Sequence, residues 1–423
     1  MSEKKHKERR RRERAQKEEP KVNKISDVKM AYIMYGKKVF VIPIVIAIIL
    51  GAIIWGIVYN ARKNNAPQET ADNEKEQINY IWGEIKPGKK NENNYTMVTS
   101  ADGIQVPVPT GYTASSASDE NSVNGGFVIY EGTEAVTDSN KWEAQCNRNQ
   151  YVWIPIADVS DMYWRDQTTG KKYGTYYNFT ESAYTKGANR SYEPQTTSRD
   201  IQSTYLTQYL NGMSREDFLM EMEIDFDKML NSVATYGGYY IGRYQTGDLS
   251  QATPVIKRIN TDIGEQTWYT MWKKARKLSG TSAGVQMIWG IQWDETLKWL
   301  IDTGEKTYAE IASDSTSWGN YYNNSFTYYT NTSKSTATKS SGTGTRIPSG
   351  AYEGANANNV FDLAGNVWDW TLESNGSGTG GIRYLRGGDY GYYGSVTPAA
   401  YRSYYNPYDS SDIFCLRCAL YIK

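Results

Sequence analysis

The chain has 423 residues, 39% of them hydrophobic, enough to bury a full core in one domain with appendages. Its 47 Lys and Arg balance 47 Asp and Glu, yet residues 1–38 hold 14 basic against 6 acidic side chains, a net of +8 that leaves −8 for the remainder. The single histidine is His6 and there are three cysteines, so the rest of the chain has no imidazole for acid–base work, for a nucleophile pair or for zinc.

The segment 1–38 reads as a basic head. It is followed by Val39 to Tyr59, an uncharged apolar run of 21 residues. At ~1.5 Å per residue a helix of that length crosses the ~30 Å hydrocarbon core. A cleavable signal peptide would show a shorter apolar region and a small-residue cleavage site, and neither is present. Lys4, Lys5, Arg9 to Arg12, Lys37 and Lys38 all precede the span. The positive-inside rule therefore places the N-terminus in the cytoplasm and residues 60–423 outside, as a single-pass cell-membrane protein. Basic runs also bind nucleic acid, but closeness to the span favours attraction to anionic lipid heads, so no nucleic-acid partner is expected.

Residues 60–94 are polar and charged, which reads as a spacer, with a folded extracellular domain over 95–423. Alternating apolar positions in Gly103–Pro109 and Gly125–Tyr130 predict the first strands. Ser214 with Asp217 forms a helix start. Leu219, Met222, Phe226, Met229, Leu230 and Val233 then recur at helical spacing until Gly237. Similar stripes begin near Thr267 (Trp268, Met271, Trp272, Ala275, Leu278) and near Ile291 (Trp293, Leu297, Leu300, Ile301). Two or three helices beside short irregular strands predict an α+β domain. Ser315 to Gly350, dominated by Ser, Thr, Asn, Gly and Tyr, reads as a long surface loop.

Three blocks near the C-terminus carry the most specific signal: Val360-Phe-Asp-Leu-Ala-Gly-Asn-Val-Trp-Asp-Trp-Thr371, Tyr384-Leu-Arg-Gly-Gly-Asp-Tyr390 and Leu416-Arg-Cys-Ala-Leu420. Upstream stand Tyr151-Val-Trp-Ile-Pro-Ile156, Gly237-Gly-Tyr-Tyr-Ile-Gly-Arg-Tyr244 and Gln292-Trp-Asp-Glu-Thr-Leu-Lys-Trp-Leu300. Together, over roughly the C-terminal two thirds, they resemble the formylglycine-generating enzyme (sulfatase-modifying factor) family, whose domain is an elaborated relative of the C-type lectin fold. That resemblance implies two active-site cysteines between the Arg-Gly-Gly and terminal Arg blocks. Here Asp389 to Phe414 contains none, and Tyr392 and Thr397 lie near those positions. The expectation therefore shifts from catalysis to binding, with no catalytic residue assigned.

The same resemblance implies a structural calcium ion held by side-chain oxygens of Asp362 and Asp369 and carbonyls of Gly365 and Val367, at an exterior calcium level that suits a site of modest affinity. The competing reading has both acids capping turns, with Trp368 and Trp370 filling core. Gln245 departs from the family, where many relatives carry an acid. Cys415 and Cys418 form a lone Cys-x-x-Cys without a second ligand pair for zinc. Cys418 sits where the family has a cysteine that is commonly disulfide-bonded; pairing of Cys146 with either of them, or buried free thiols, both stand as alternatives.

Asp389 to Phe414 is the candidate ligand site, through Tyr390, Tyr392, Tyr393, Tyr401, Tyr404, Tyr405, Asn406, Tyr408 and Asp409. Tyrosine offers a large amphipathic contact with few rotatable bonds, while Ser, Gly and Asn adapt their hydrogen bonding, as in antibody paratopes. Across the chain 36 tyrosines outnumber 8 phenylalanines, so aromatic mass comes with a hydroxyl attached. An ordinary Tyr-rich surface is the plainer alternative. The segment also resembles the variable region of diversity-generating retroelement proteins, which use the same lectin-like fold and whose mutable positions drift among Asn, Tyr, Asp, Ser and Gly. The expected function is a membrane-anchored surface protein that binds an extracellular protein or glycan, and this second resemblance adds the expectation of a diversified receptor. A sulfatase-modifying oxidase and a structural envelope protein are the alternatives.

Overall fold

The structure is a computed structural model that describes residues 85–190, 203–374 and 382–423. The basic head, the membrane span Val39 to Tyr59 and residues 60–84 of the spacer lie outside the described residues, as does the whole of the unit Met1–Glu76. Among the described residues no helix is long and apolar enough to cross a membrane. All the described helices and strands belong to the unit Gln77–Lys423.

Its backbone is a mixed α/β arrangement with six α-helices and several sheets among the described residues. The largest sheet has six strands in the order Ala283–Met287, Cys418–Ile422, Gly238–Gly242, Gln150–Pro155, Val128–Glu131 and Tyr112–Ala114. Every pairing in it is antiparallel. The last strand of the chain thus sits inside the sheet, between strands laid down well before it.

The helix Arg215–Tyr236 forms where its cap and stripe predict: the Ser214 side chain accepts from the Asp217 amide, and Gly237 ends the helix in the left-handed conformation at φ 80°. Met222, Phe226, Met229, Leu230 and Val233 are buried, and the helix packs on the strands Gly238–Gly242 and Cys418–Ile422. Trp268–Ala275, capped by Thr267, and Gly290–Asp302 follow the other two stripes. Three short helices, Lys141–Asn147, Ser203–Leu210 and Tyr308–Ala312, exceed the two or three expected. At five to eight residues they span too few turns for a hydrophobic period to register.

The stretch Ser315 to Gly350 is also more structured than its composition suggests. It carries an antiparallel hairpin, Phe326–Tyr329 with Thr336–Lys339. Trp318, Tyr321 and Ile347 are buried. Lys339 is buried too, its Nζ donating to the carbonyls of Tyr321 at 2.6 Å and Asn324 at 2.9 Å. A few large residues spread through a polar stretch suffice to bury it.

All three cysteines are free thiols, Cys415 and Cys418 buried and Cys146 half-buried, so the disulfide alternative is not realised. Cys415 Sγ donates to the Thr246 carbonyl at 3.3 Å, and Cys418 Sγ lies 3.4 Å from Thr246 Oγ1.

Candidate ligand-binding cleft

A second sheet of four strands supports the Tyr-rich segment, in the order Arg402–Tyr405, Arg383–Arg386, Trp368–Ser374 and Phe414–Leu416. In the first pair Arg386 stands opposite Arg402, Leu385 opposite Ser403 and Tyr384 opposite Tyr404. Because strand side chains alternate, Tyr401, Ser403 and Tyr405 share one face while Arg402 and Tyr404 share the other.

The inner face is tied down by charge. Asp294, buried on the helix Gly290–Asp302, pairs with Arg386 Nη1 through Oδ1 at 2.8 Å and hydrogen-bonds the Arg402 guanidinium through Oδ2. Arg402 also donates to the Tyr177 carbonyl at 3.0 Å and lies 3.4 Å from Glu373 Oε1. Burial pulls the Arg386 guanidinium down to about 10; the Arg402 charge adds to that and Asp294 opposes it. Arg386 reaches onward to the carbonyls of Tyr401 and Ala400, both at 3.2 Å, which sets where the chain enters the edge strand.

The Arg-Gly-Gly-Asp block turns the chain over this sheet. Gly388 has φ 83°, and a Cβ there would fall 2.5 Å from the Thr397 carbonyl oxygen, so only glycine fits. Tyr321 Oη lies 2.8 Å from the Gly387 carbonyl and 2.9 Å from that of Thr397, closing the loop from beneath. Asp389 accepts from the Trp368 indole at 2.6 Å and from the Gly391 amide at 2.6 Å. Burial raises its carboxyl above the ordinary range, and these two donors oppose that.

Above Trp368 the segment encloses a cleft of about 520 Å³. Of the nine residues expected to bind, Tyr392, Tyr401, Tyr405 and Asp409 line it. The three tyrosines are 50%, 45% and 48% exposed. The other five lie elsewhere. Tyr404 points to the opposite face, edge-on to Tyr384 at 6.4 Å. Tyr393 stacks on Tyr322 at 5.8 Å, and Tyr390 donates to Asp412 at 3.1 Å. Asn406 donates to Asp409 at 3.2 Å. Tyr408 stacks on Tyr205 at 4.6 Å with the rings within 6° of parallel; Tyr205 faces Tyr209, which stacks in turn on Tyr269.

Outside the segment Asp389 to Phe414, sequence reasoning missed Trp368 and Leu385 as lining; within it, Thr397, Ser403 and Phe414 are lining residues beyond the nine expected. Trp368 reads as core from its motif, which its 4% exposure nearly makes it. Thr397 carries a signal that only the resemblance supplied: with Tyr392 it stands near the two cysteine positions of the family, and both line the cleft. Its Oγ1 is buried with no hydrogen-bond partner.

Around the Asp-Leu-Ala-Gly-Asn motif, Asp362 and Asp369 are fully buried. Asp362 Oδ2 accepts from the Gly350 amide at 2.7 Å. Asp369 Oδ2 lies 3.3 Å from Gln245 Nε2 and 3.4 Å from Arg417 Nη2. The Val367 carbonyl accepts from Gln245 at 2.7 Å, and Gly365 turns the loop at φ 71°. Burial raises both carboxyls, Asp369 to about 6, against the pull of Arg417 and neighbouring donors. Oδ1 of each acid is buried without a partner. Two orphaned carboxylate oxygens suit a cation, whereas Gln245 and Arg417 already meet part of the same charge. No group of three or more His, Cys, Asp or Glu side chains suited to a metal occurs among the described residues, so carbonyls would have to complete the shell.

Residues 269–422 match the model of the sulfatase-modifying factor enzyme 1-like domain. The match lies in the C-terminal part of the chain. The upstream strands Gln150–Pro155 and Gly238–Gly242 fall before the matched residues yet share a sheet with Ala283–Met287 and Cys418–Ile422 inside them. Among solved structures, the chain is similar to a protein described as CarF, at 12% identity over 44% of this chain and 87% of that one, with a TM-score of 0.28. It is also similar to Treponema denticola variable protein 1, at 15% identity over 43% of this chain and 84% of that one, with a TM-score of 0.26. No curated protein matches.

The two classes of tyrosine should separate in stability. Tyr408→Ala removes one partner of the Tyr205 stack and should cost about 1 kcal/mol or more. Tyr392→Ala, half exposed on the cleft rim, should change stability by less than ~0.5 kcal/mol. Denaturant midpoints of the two variants test this, and equal losses would show that Tyr392 also supports the fold.

Proposed function

We propose that the sulfatase-modifying factor-like domain is a lectin-like ligand-binding module, held at the cell surface by the span Val39 to Tyr59, that takes an extracellular protein or glycan in the cleft of the Tyr-rich segment as a diversified receptor does. The observation that carries this reading is the cleft itself. Half-exposed tyrosines line it, and two of its lining residues, Tyr392 and Thr397, lie near where the resemblance puts the two cysteines of the oxidase. Tyrosines of this kind, desolvated by a partner, are the residues that commonly dominate interface energy.

The oxidase alternative draws less support. Its chemistry needs a reactive thiolate, and the thiols nearest the terminal block belong to buried core strands. Burial pushes the Cys415 thiol well up and the Cys418 thiol up to about 12. The envelope-protein alternative has no observation in its favour.

The binding test uses the full chain as bait against host-cell and envelope fractions, beside a Tyr392→Ala, Tyr401→Ala, Tyr405→Ala triple variant with a matched melting temperature. Capture by the parent should be lost in the variant, at ~2 kcal/mol or more for a hot-spot ring. Equal capture would move the site elsewhere. Copper-dependent conversion of a sulfatase peptide cysteine to its aldehyde, abolished by Cys415→Ser, would reinstate the oxidase.

For the anchor, protease added to intact cells should digest residues 60–423 and leave the basic head protected. A digested head with a protected domain would reverse the topology.

A structural calcium ion belongs to the same reading, with Asp362 and Asp369 and the carbonyls of Gly365 and Val367 as its oxygens. It would supply the counter-charge that the two orphaned oxygens lack. Chelation should then lower the melting temperature by a few degrees, and Asp369→Asn should remove that difference. Identical melting curves with and without chelator would leave both acids as turn partners.

A further inference from the structure

The chemistry of the cleft lining points to the class of ligand, on the assumption that the cleft is the binding site. Its walls include two splayed aromatic pairs, beside the aliphatic side chains of Leu385, Val396 and Ile413. Trp368 and Tyr401 have centroids 6.1 Å apart with planes at 51°, and Tyr405 and Phe414 are 5.0 Å apart at 58°. Tyr392 closes the rim, half exposed. The lining contains one carboxylate, Asp409, and among the described residues no Lys, Arg or His.

The basic side chains nearby are engaged elsewhere. Arg402, next to two lining residues on the same strand, faces the other way onto Asp294 and the Tyr177 carbonyl. Arg346 donates to the carbonyls of Ile263 at 3.0 Å and Asp412 at 3.1 Å. Asp389 and Asp412 add acid to the surroundings of the cleft. Aromatic faces carry negative quadrupole charge, so rings and carboxylate attract the same sign. A phosphate or sulfate group would meet the Asp409 carboxylate and the aromatic faces with no basic side chain in the lining to offset them. A neutral sugar would find hydroxyls but gain nothing from the fixed charge.

We propose that the cleft is an aromatic cage for an organic cation, a quaternary or alkylated ammonium group carried by the protein or glycan ligand. Trp368, Tyr401 and Tyr405 flank the cation, and Asp409 supplies its counter-charge.

The probes are choline and its uncharged isostere 3,3-dimethylbutan-1-ol, titrated into the full chain in detergent and followed by calorimetry and ligand-observed NMR. Choline should bind about tenfold more tightly than the isostere. Asp409→Asn and Tyr401→Leu should each weaken choline several-fold at an unchanged melting temperature, and Tyr392→Leu serves in place of Tyr401→Leu if that variant melts early. Equal affinity for charged and uncharged probes would overturn the proposal, since the cleft would then be merely apolar. Capture of an uncharged glycan that depends on the cleft tyrosines, without choline binding, would overturn the cation class and leave the binding function intact. Loss of both, with no cleft-dependent capture of any fraction, would overturn the two readings together.

Discussion

The cleft depends on one buried carboxylate. Among the described residues Arg402–Tyr405 is a four-residue edge strand bonded to a neighbour on one side only. An edge strand that short is prone to slip, and a slip of one residue would exchange its two faces. Asp294 prevents this by gripping two arginines that stand directly opposite each other on adjacent strands. Buried charges are tolerated only when paired, and Glu373 provides the second acid for the second arginine. Such a network adds little net stability over a well-packed apolar core, but it fixes register. With Arg402 held inward, Ser403 and Tyr405 must face the cleft and Tyr404 must face away.

That division of labour suits a surface built to bind. The residues that shape the cleft are mostly not those that display chemistry in it. Gly388 makes the turn, Tyr321 closes it from below, and the Trp368 indole fixes Asp389. By contrast Tyr392, Tyr401 and Tyr405 are half exposed. Their side chains can change with small loss to the core.

Much of the scaffold is legible in the sequence because its signals are local. Ser214, the apolar stripe and Gly237 mark one helix from cap to cap, and the structure places each as read. The site is legible as a segment and only partly as residues. Composition singles out tyrosines, but it cannot say which side of a strand each one takes. That depends on register, and register here is set by Asp294, more than a hundred residues from Arg402. Tyr408 shows the same limit: its partner Tyr205 lies on a distant helix of eight residues that no periodicity reveals. Ser315 to Gly350 reads as loop for a related reason, since Trp318, Tyr321 and Ile347 enter the core singly and leave the average composition polar.

The two most specific sequence blocks meet physically at the floor of the cleft. Trp368 comes from the Asp-Leu-Ala-Gly-Asn-Val-Trp run and Asp389 from the Arg-Gly-Gly-Asp block, and the indole N–H joins them. Asn366, from the same run, sits at φ 64° and is fixed by Gln245, Asn320 and the Ile347 amide. Two of those three partners belong to the Ser315 to Gly350 stretch, so that stretch braces the motif from outside while Gln245 braces it from within. The motif is thus a frame whose shape does not depend on what the rim displays. A frame fixed in this way by backbone turns, indoles and amides explains how a chain can keep the family's motif while carrying no cysteine between its Arg-Gly-Gly and terminal Arg blocks.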